Sequence, residues 1–424
     1  MLSRKIYKFC KNGFRITSKA QNRKLVASCI FLTLTLAGCQ NIQPTEPVST
    51  SVPTKETIED ESKAEAEIVA EIYRGVYGKI QENESMNMLE ATKEIVKNLG
   101  EKGYSAIDDK NQINMTQADQ VIQFCNAVDA KAEAEQTIIE IMDSGWFAIY
   151  EFKTKEGSVD IEKNIYQYRN GALEKTSAGA YRAEEWNYSE DGFLMFSGSW
   201  YSEELYILTL SEAEEHKAFR ILPLDEKCRE LNRKYILPIS YERNNMFLID
   251  WDENDFGELD FYDLYDIFFP QVNGQVMNYV ADDDLSNIEV YQIPKDEFEK
   301  VIMSYFNIES GTLQSKTVYD PKKAVYEYKP RGFEEVEYPE YPFPEVVEYR
   351  ENNDGTITLT VNVVFPYAGI SKVYTHEVVV RPMTDGTFQY VSNRIIPSDD
   401  NHEETWHVDR LTADEWENLY GVNR

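Results

Sequence analysis

Asp252, Asn254 and Asp263 place side-chain oxygens at positions 1, 3 and 12 of a twelve-residue stretch, with Gly257 at position 6 and Leu259 at position 8. This spacing fits a calcium loop, in which alternate residues turn oxygens inward and a glycine makes the sharp turn. Phe256 at position 5 offers no side-chain oxygen, and Asp263 stands where such loops carry a bidentate Glu. A helix N-terminus with acids in its first turn explains the same residues through the helix dipole. The segment His402-Glu403-Glu404-Thr405-Trp406-His407 carries two histidines five residues apart. A zinc-binding pair on one helix face stands four apart, so the segment reads as a solvated loop before a final helix. Ser197-Gly198-Ser199 lacks the flanking glycines of a nucleophile elbow. The four histidines, His216, His376, His402 and His407, lie in charged or β settings. With 75 acidic residues, paired carboxylates of the kind used in glycoside hydrolysis arise by chance. No residue is therefore assigned a catalytic, metal-binding or cofactor-binding role.

The remaining chemistry lies at the N-terminus. Residues 1–24 hold eight basic side chains, Arg4, Lys5, Lys8, Lys11, Arg15, Lys19, Arg23 and Lys24, and no acid. Leu25 to Leu36 carries no charge and is too short to span a bilayer, which takes ~20 residues. A basic region, a short apolar run and small residues at a cleavage point form a signal-peptide pattern. Leu36-Ala37-Gly38-Cys39 at its end resembles the lipobox of bacterial lipoproteins. The resemblance implies a diacylglyceryl thioether on the Cys39 thiol, palmitate-like acyl chains, and cleavage between Gly38 and Cys39. Each buried CH₂ contributes ~0.8 kcal/mol, and two chains make the anchoring stable. The expected address is the extracytoplasmic face of the cell membrane, with the lipid bilayer as partner through Cys39. The rest of the chain is similar to uncharacterised lipoproteins of low-GC Gram-positive bacteria, a family of unknown function.

The formal charge is −32, and loss of the eight basic residues in 1–38 takes it to about −40. Nucleic acid and anionic lipid faces need cationic patches, so neither suits this chain. Among five cysteines, Cys10 and Cys29 leave with the signal and Cys39 carries lipid, leaving Cys125 and Cys228 as a disulfide or as two buried thiols.

Residues 39–62 are rich in Pro, Thr, Ser and Glu and read as a disordered tether. From Lys63 to Met142 the pattern is helical: Ile68, Ile72, Val76 and Ile80 recur at four-residue steps, Ser85 and Thr116 suit N-caps, and Ile138, Ile139 and Met142 lead into Gly145. Strands follow at 146–153, 159–169, 172–182, 193–200 and 204–210, with Asn170-Gly171 and Asp191-Gly192 as hairpin turns, forming one antiparallel meander. Residues 217–285 are mixed, with short strands at Arg220–Pro223, Tyr235–Pro238 and Phe247–Ile249 and a helix from Gly257 to Phe269. A helix begins at Pro294, a strand pair lies near 317–328, and 334–345 runs extended across a surface. Strands at 345–352, 356–365, 372–382 and 387–396 turn at Asp354-Gly355 and Asp385-Gly386. The expected class is α+β. Residues 63–285 form a helical plus β-meander domain, 286–398 a helix on a curved antiparallel sheet, and 399–424 a tail with a short helix. By analogy the second unit resembles cystatin-like or NTF2-like folds, which licenses no function.

The absence of a nucleophile-base signature favours a non-enzymatic binding module at the cell envelope, its partner an envelope protein or a glycan. The competing expectation is an envelope glycan hydrolase that uses two carboxylates from 146–285, one in an apolar pocket with a raised pKa. Deletion of residues 1–39 is expected to leave a soluble, folded, acidic protein, because the tether separates the domains from the anchor. Size-exclusion chromatography and circular dichroism of the truncated chain check this, and aggregation would contradict it.

Overall fold

The computed structural model describes residues 64–76, 88–200, 213–279, 289–337 and 340–421. Cys39, the tether, Ile80, Ser85 and the expected strand at 204–210 lie outside them. The described residues belong to one compact unit, Thr54–Arg424, of class α+β.

Helix α1 (residues 64–76) buries Ala66, Val69, Ala70, Tyr73 and Val76, the stripe of a 3.6-residue period. Helix α2 (Met88–Glu101) buries Ala91, Ile95, Val96 and Leu99. Strand β1 (Ser105–Asp108) is joined through helix α3 (Ala118–Asp129) to the parallel strand β2 (Ala134–Ile141). The expected N-cap Thr116 does not cap α3: its hydroxyl accepts Ala106 N–H and donates to Tyr104 O, fastening β1 instead. The expected helix at Ile138–Met142 is strand β2. Ile139 and Ile141 face α1 and α2 while Ile138 faces α3, so adjacent apolar residues serve two buried faces. Strands β3 (Trp146–Lys155), β4 (Ser158–Arg169) and β5 (Ala172–Arg182) complete this five-stranded sheet in order. Asn170 (φ 54°) and Gly171 (φ 78°) both take positive φ, as a tight hairpin turn requires.

The expected meander breaks here into two sheets. Ala183 N–H bonds to Val159 O and Glu184 N–H to Ser197 O, passing the chain from the first sheet to a second. The second sheet holds β6 (Glu185–Tyr188), β7 (Phe193–Trp200) and β8 (Ala213–Arg220). One of its faces, with Leu194, Phe196, Phe219 and Trp186, packs on Tyr150, Phe152 and α3. The other, with Phe193, Met195 and Ala218, meets Val364 and Phe343 further along the chain.

Helix α4 (Glu226–Leu231) runs into a π turn at Asn232–Ile236, so the strand expected at Tyr235–Pro238 is helical. Phe247–Ile249 forms turns rather than a strand, and β8 ends at Arg220, before Ile221–Pro223. Strand β9 (Trp251–Asp252) and helix α5 (Phe261–Asn273) follow, then β10 (Tyr291–Pro294), α6 (Lys295–Tyr305) and α7 (Ser310–Ser315). β11 (Tyr319–Asp320) and β12 (Val325–Tyr328) form a small sheet with β10. Strands β13 (Phe343–Glu351), β14 (Ile357–Val364), β15 (Thr375–Pro382) and β16 (Phe388–Ile395) form an antiparallel sheet with β9 at its edge. One core runs from Cys228 to Trp406, so residues 228–269 share apolar packing with the strands after 343. Cys125 and Cys228 are free, buried thiols.

The C-terminal segment is a strap. Trp406 is buried against Phe365, with ring centroids 5.2 Å apart. Segment 402–407 is the expected loop and is exposed from His402 to Thr405, but its end is packed, with His407 Nδ1 3.0 Å from buried Glu337. Helix α8 (Ala413–Tyr420) starts in a capping box between Thr412 and Glu415.

Arg229, 2% exposed, crosses between the two parts: it donates to Asn111 O and, at 2.7 Å, to Asn114 Oδ1. Removing one partner of a buried, hydrogen-bonded charge leaves its acceptors unsatisfied. Arg229→Ala is expected to lower unfolding free energy by about 3 kcal/mol. The midpoint of urea unfolding checks it, and Arg229→Lys should recover only part, since an ammonium lacks the planar fork.

Candidate functional site

Strands β2, β3, β4, β5 and β8 bring a first ionic network between the two sheets of the N-terminal part. Lys163 Nζ lies 2.6 Å from Glu215 Oε1, and Tyr150 and Tyr181 donate to the Glu215 carboxylate at 2.8 and 3.0 Å. Lys217 pairs with fully buried Glu140. Gly198 makes the closure possible, because a Cβ there would sit 2.6 Å from the Tyr181 ring. Burial works to raise the Glu215 carboxyl, but Lys163 and Lys217 outweigh it and hold it below its usual range. Burial, then Glu140 and Glu215, push the Tyr150 hydroxyl well up. Two carboxylates face two ammonium groups in a packed space, an arrangement that fixes sheet on sheet.

A second network gathers Asp260, Asp263 and Asp266 at the start of α5. Asp260 is the N-cap and accepts Tyr262 and Asp263 N–H. Arg331 grips both Asp263 oxygens, from Nε at 2.9 Å and Nη2 at 2.7 Å. Arg410 of the strap bonds Asp263 at 2.7 Å and Asp266 at 3.1 Å, and Tyr328 donates to Asp266 at 2.6 Å. Burial raises the Asp263 carboxyl, but Arg410 and Arg331 bring it below its usual range. Burial raises Asp266 to about 7, only partly opposed by Arg410 and Tyr328. The calcium spacing is thereby divided. Asp263 holds arginines, whereas Asp252 Oδ1 caps its own exposed turn by accepting Asn254 and Asp255 N–H. Among the described residues no group of three or more His, Cys, Asp or Glu is placed to hold a metal.

The histidines separate by environment. His376 is fully buried, and burial lowers it to about 4, so it is neutral. Its Nδ1–H donates to Asn393 Oδ1 at 2.7 Å, because Asn393 Nδ2 already donates to Ile249 O, and its Nε2 accepts from Tyr241 at 2.9 Å.

His216 lies at an open hollow. In β8 the side chains alternate: Glu215 and Lys217 enter the first network, and Glu214 and His216 face the other way. Across the sheet His216 pairs with Ser197, and Ser197 with Glu185, so these three share one face. Near Val364 and Phe343 that face is packed. Further along it opens into a hollow of about 370 Å³ lined by Glu214, His216, Glu340, Tyr341, Pro366 and Tyr367. The Pro366–Ala368 turn between β14 and β15 forms the far wall. Tyr367, 47% exposed, has its ring 4.6 Å from that of His216. Such hollows between parts of a fold, combining aromatic faces with a few polar groups, suit ligands. Sequence reasoning passed over these residues. Glu214–Lys217 is a continuous polar run with no alternation to mark its open face, and the opposite wall comes from distant turns.

The Asp266 carboxyl has a testable consequence. The folded chain keeps its proton to about pH 7, while the usual carboxyl loses it near 3.8. Its contribution is therefore full below the lower value and declines as pH rises toward 7. Asp266→Asn lacks this decline. Its stability relative to wild type is expected to improve between pH 5 and pH 8, by about 1–2 kcal/mol, a discount on the full shift because the carboxylate is partly open to water. Urea midpoints at both pH values check it, and a pH-independent difference would contradict it.

No curated protein and no solved structure matches the chain. Residues 59–410 match a family described as a family of unknown function, DUF6070. With that match spanning most of its length, the chain belongs to the DUF6070 family.

Proposed function

We propose that this chain is a lipid-anchored extracytoplasmic protein whose folded part serves as a binding module at the cell envelope. The observation that carries the address is Leu36-Ala37-Gly38-Cys39, closing a basic segment and an uncharged run. The two acyl chains of a diacylglyceryl group, joined to Cys39 through one thioether, would hold the protein to the bilayer. The tether at 40–62 would give the folded unit reach from the surface. The hollow at the seam between β8 and the Pro366–Ala368 turn, the seam hollow, is the ligand-contacting region in this reading, its partner a glycan or an envelope protein.

Its chemistry supports binding over hydrolysis. A glycoside hydrolase needs a protonated carboxyl with a raised pKa facing substrate. Between 146 and 285, Asp260 and Asp266 are raised by burial. Tyr328 and Arg410 occupy the two oxygens of Asp266, and Asp260 caps α5. The Glu214 side chain at the hollow is 74% exposed, so its oxygens are open to a ligand.

Fatty-acid labelling tests the address. Wild type is expected to incorporate label and Cys39→Ser to incorporate none, retaining residues 1–38 as an uncleaved precursor. Equal labelling of both would overturn the lipoprotein reading. Membrane localisation alone is a weaker measure, because the apolar run from Leu25 would still hold some precursor at the membrane.

A further inference from the structure

We infer that the seam hollow binds an amino sugar, a pyranose unit bearing a protonated amine, as found in partly deacetylated glucosamine polymers. The inference rests on the binding reading above and names its ligand class.

Three features of the hollow select this chemistry. The first is a flat platform. Tyr367 is half open to solvent, and its ring is steadied by His216 at 4.6 Å and Phe365 at 6.1 Å. An aromatic face held in this way offers the apolar C–H side of a sugar ring a rigid surface at little entropic cost. The second is charge. Glu214 and Glu340 line the hollow, and among the described residues no Lys or Arg does. A phosphate- or carboxylate-bearing ligand would meet only like charge there, whereas an ammonium would form charge-assisted hydrogen bonds. The third is polarity beside the platform. The Tyr341 side chain lines the same hollow, while Glu185 and Ser197, next to His216 across the sheet, line a separate small cavity on the other side of Pro366. The His216 side chain, 25% exposed, also lines the hollow. Hydroxyl-rich rings supply donors and acceptors to such groups, which simple amines do not. A volume of about 370 Å³ lies at the small end of ligand sites and suits one or two sugar units.

The formal −32 charge of the chain attracts any polycation weakly, so the test must separate a shaped site from general attraction. Isothermal titration calorimetry of the full chain in detergent is run with three probes: the fully deacetylated glucosamine tetramer, its N-acetylated counterpart, and spermine. The deacetylated tetramer is expected to bind at least tenfold more tightly than the other two. Tyr367→Ala, at an exposed position, should weaken it at least tenfold and leave spermine unchanged. Glu214→Gln should lower the preference for the deacetylated over the acetylated tetramer. Absence of binding, equal binding of spermine, or insensitivity to Tyr367→Ala overturns the proposal. Equal binding of both tetramers also overturns the amino-sugar assignment, while leaving a glycan-binding module in place. Fatty-acid labelling at Cys39 is read separately, so failure here is distinguishable from failure of the envelope reading.

Discussion

Two buried guanidinium groups set the relation between the N-terminal sheets and the rest of the fold. Arg220, at the end of β8, stacks over Phe193 and reaches Glu345 on β13 at 3.3 Å. Arg229, on α4, is held by Asn111 and Asn114 in the loop after β1. That loop is itself shaped by a carboxylate: Asp108 accepts Gln112 and Ile113 N–H at 3.0 and 2.8 Å. Burial raises both Asp108 and Glu345, and the nearby arginines oppose the rise. Buried ion pairs are poor sources of net stability but severe when broken. Here they fix where β8 lies against β13, and therefore where Glu214 and His216 face the Pro366–Ala368 turn.

The sheet of β6, β7 and β8 is the hinge of this arrangement in a topological sense. Its strands are short, and each of its faces is used differently along its length. One face is apolar at Leu194, Phe196 and Phe219 and ionic at Glu215 and Lys217. The opposite face is apolar at Phe193, Met195 and Ala218 and polar at Glu185, Ser197 and His216. The apolar ends pack and the polar end of the second face stays open. A one-residue slip of β8 would turn Glu215 and Lys217 into the hollow and drive His216 into the ionic network. The Lys163–Glu215 contact and the two tyrosine hydroxyls resist that slip, since the displaced carboxylate would lose all three partners.

Much of the secondary structure was legible because its cues are local. Asn170-Gly171, Asp354-Gly355 and Asp385-Gly386 mark turns through backbone preference alone, and the strands beside them lie close to their expected places. Misreadings arose where the surroundings decide. Ile138 and Ile139 look helical because adjacent apolar residues do not alternate, yet β2 is covered on both faces. Tyr235-Ile236-Leu237 has strand-forming residues, but its packing with Cys228 and Leu231 continues a helix. The meander's division into two sheets depends on two backbone hydrogen bonds at Ala183 and Glu184, which no residue type announces. The hollow was less legible still. Both faces of Glu214–Lys217 carry charge, so pattern alone does not say which is buried, and Tyr367 reaches the site only through the seam.

Acidity also acquires a different meaning from the structure. Composition gives 43 basic residues against 75 acidic ones, and several of the basic ones serve as internal counter-ions. Lys163 and Lys217 neutralise Glu215 and Glu140, Arg220 meets Glu345, and Arg331 and Arg410 meet the aspartates of α5. Each of these cations is paired in the interior with at least one carboxylate, so the interior pairs cancel and the net acidity is carried by the accessible groups. The lining of the seam hollow has this character, with Glu214 and Glu340 and, among the described residues, no Lys or Arg. A ligand entering there would therefore supply positive charge itself or rely on stacking and neutral hydrogen bonds. The buried networks thus order the fold, and the carboxylates left at the hollow decide the sign of what it can hold.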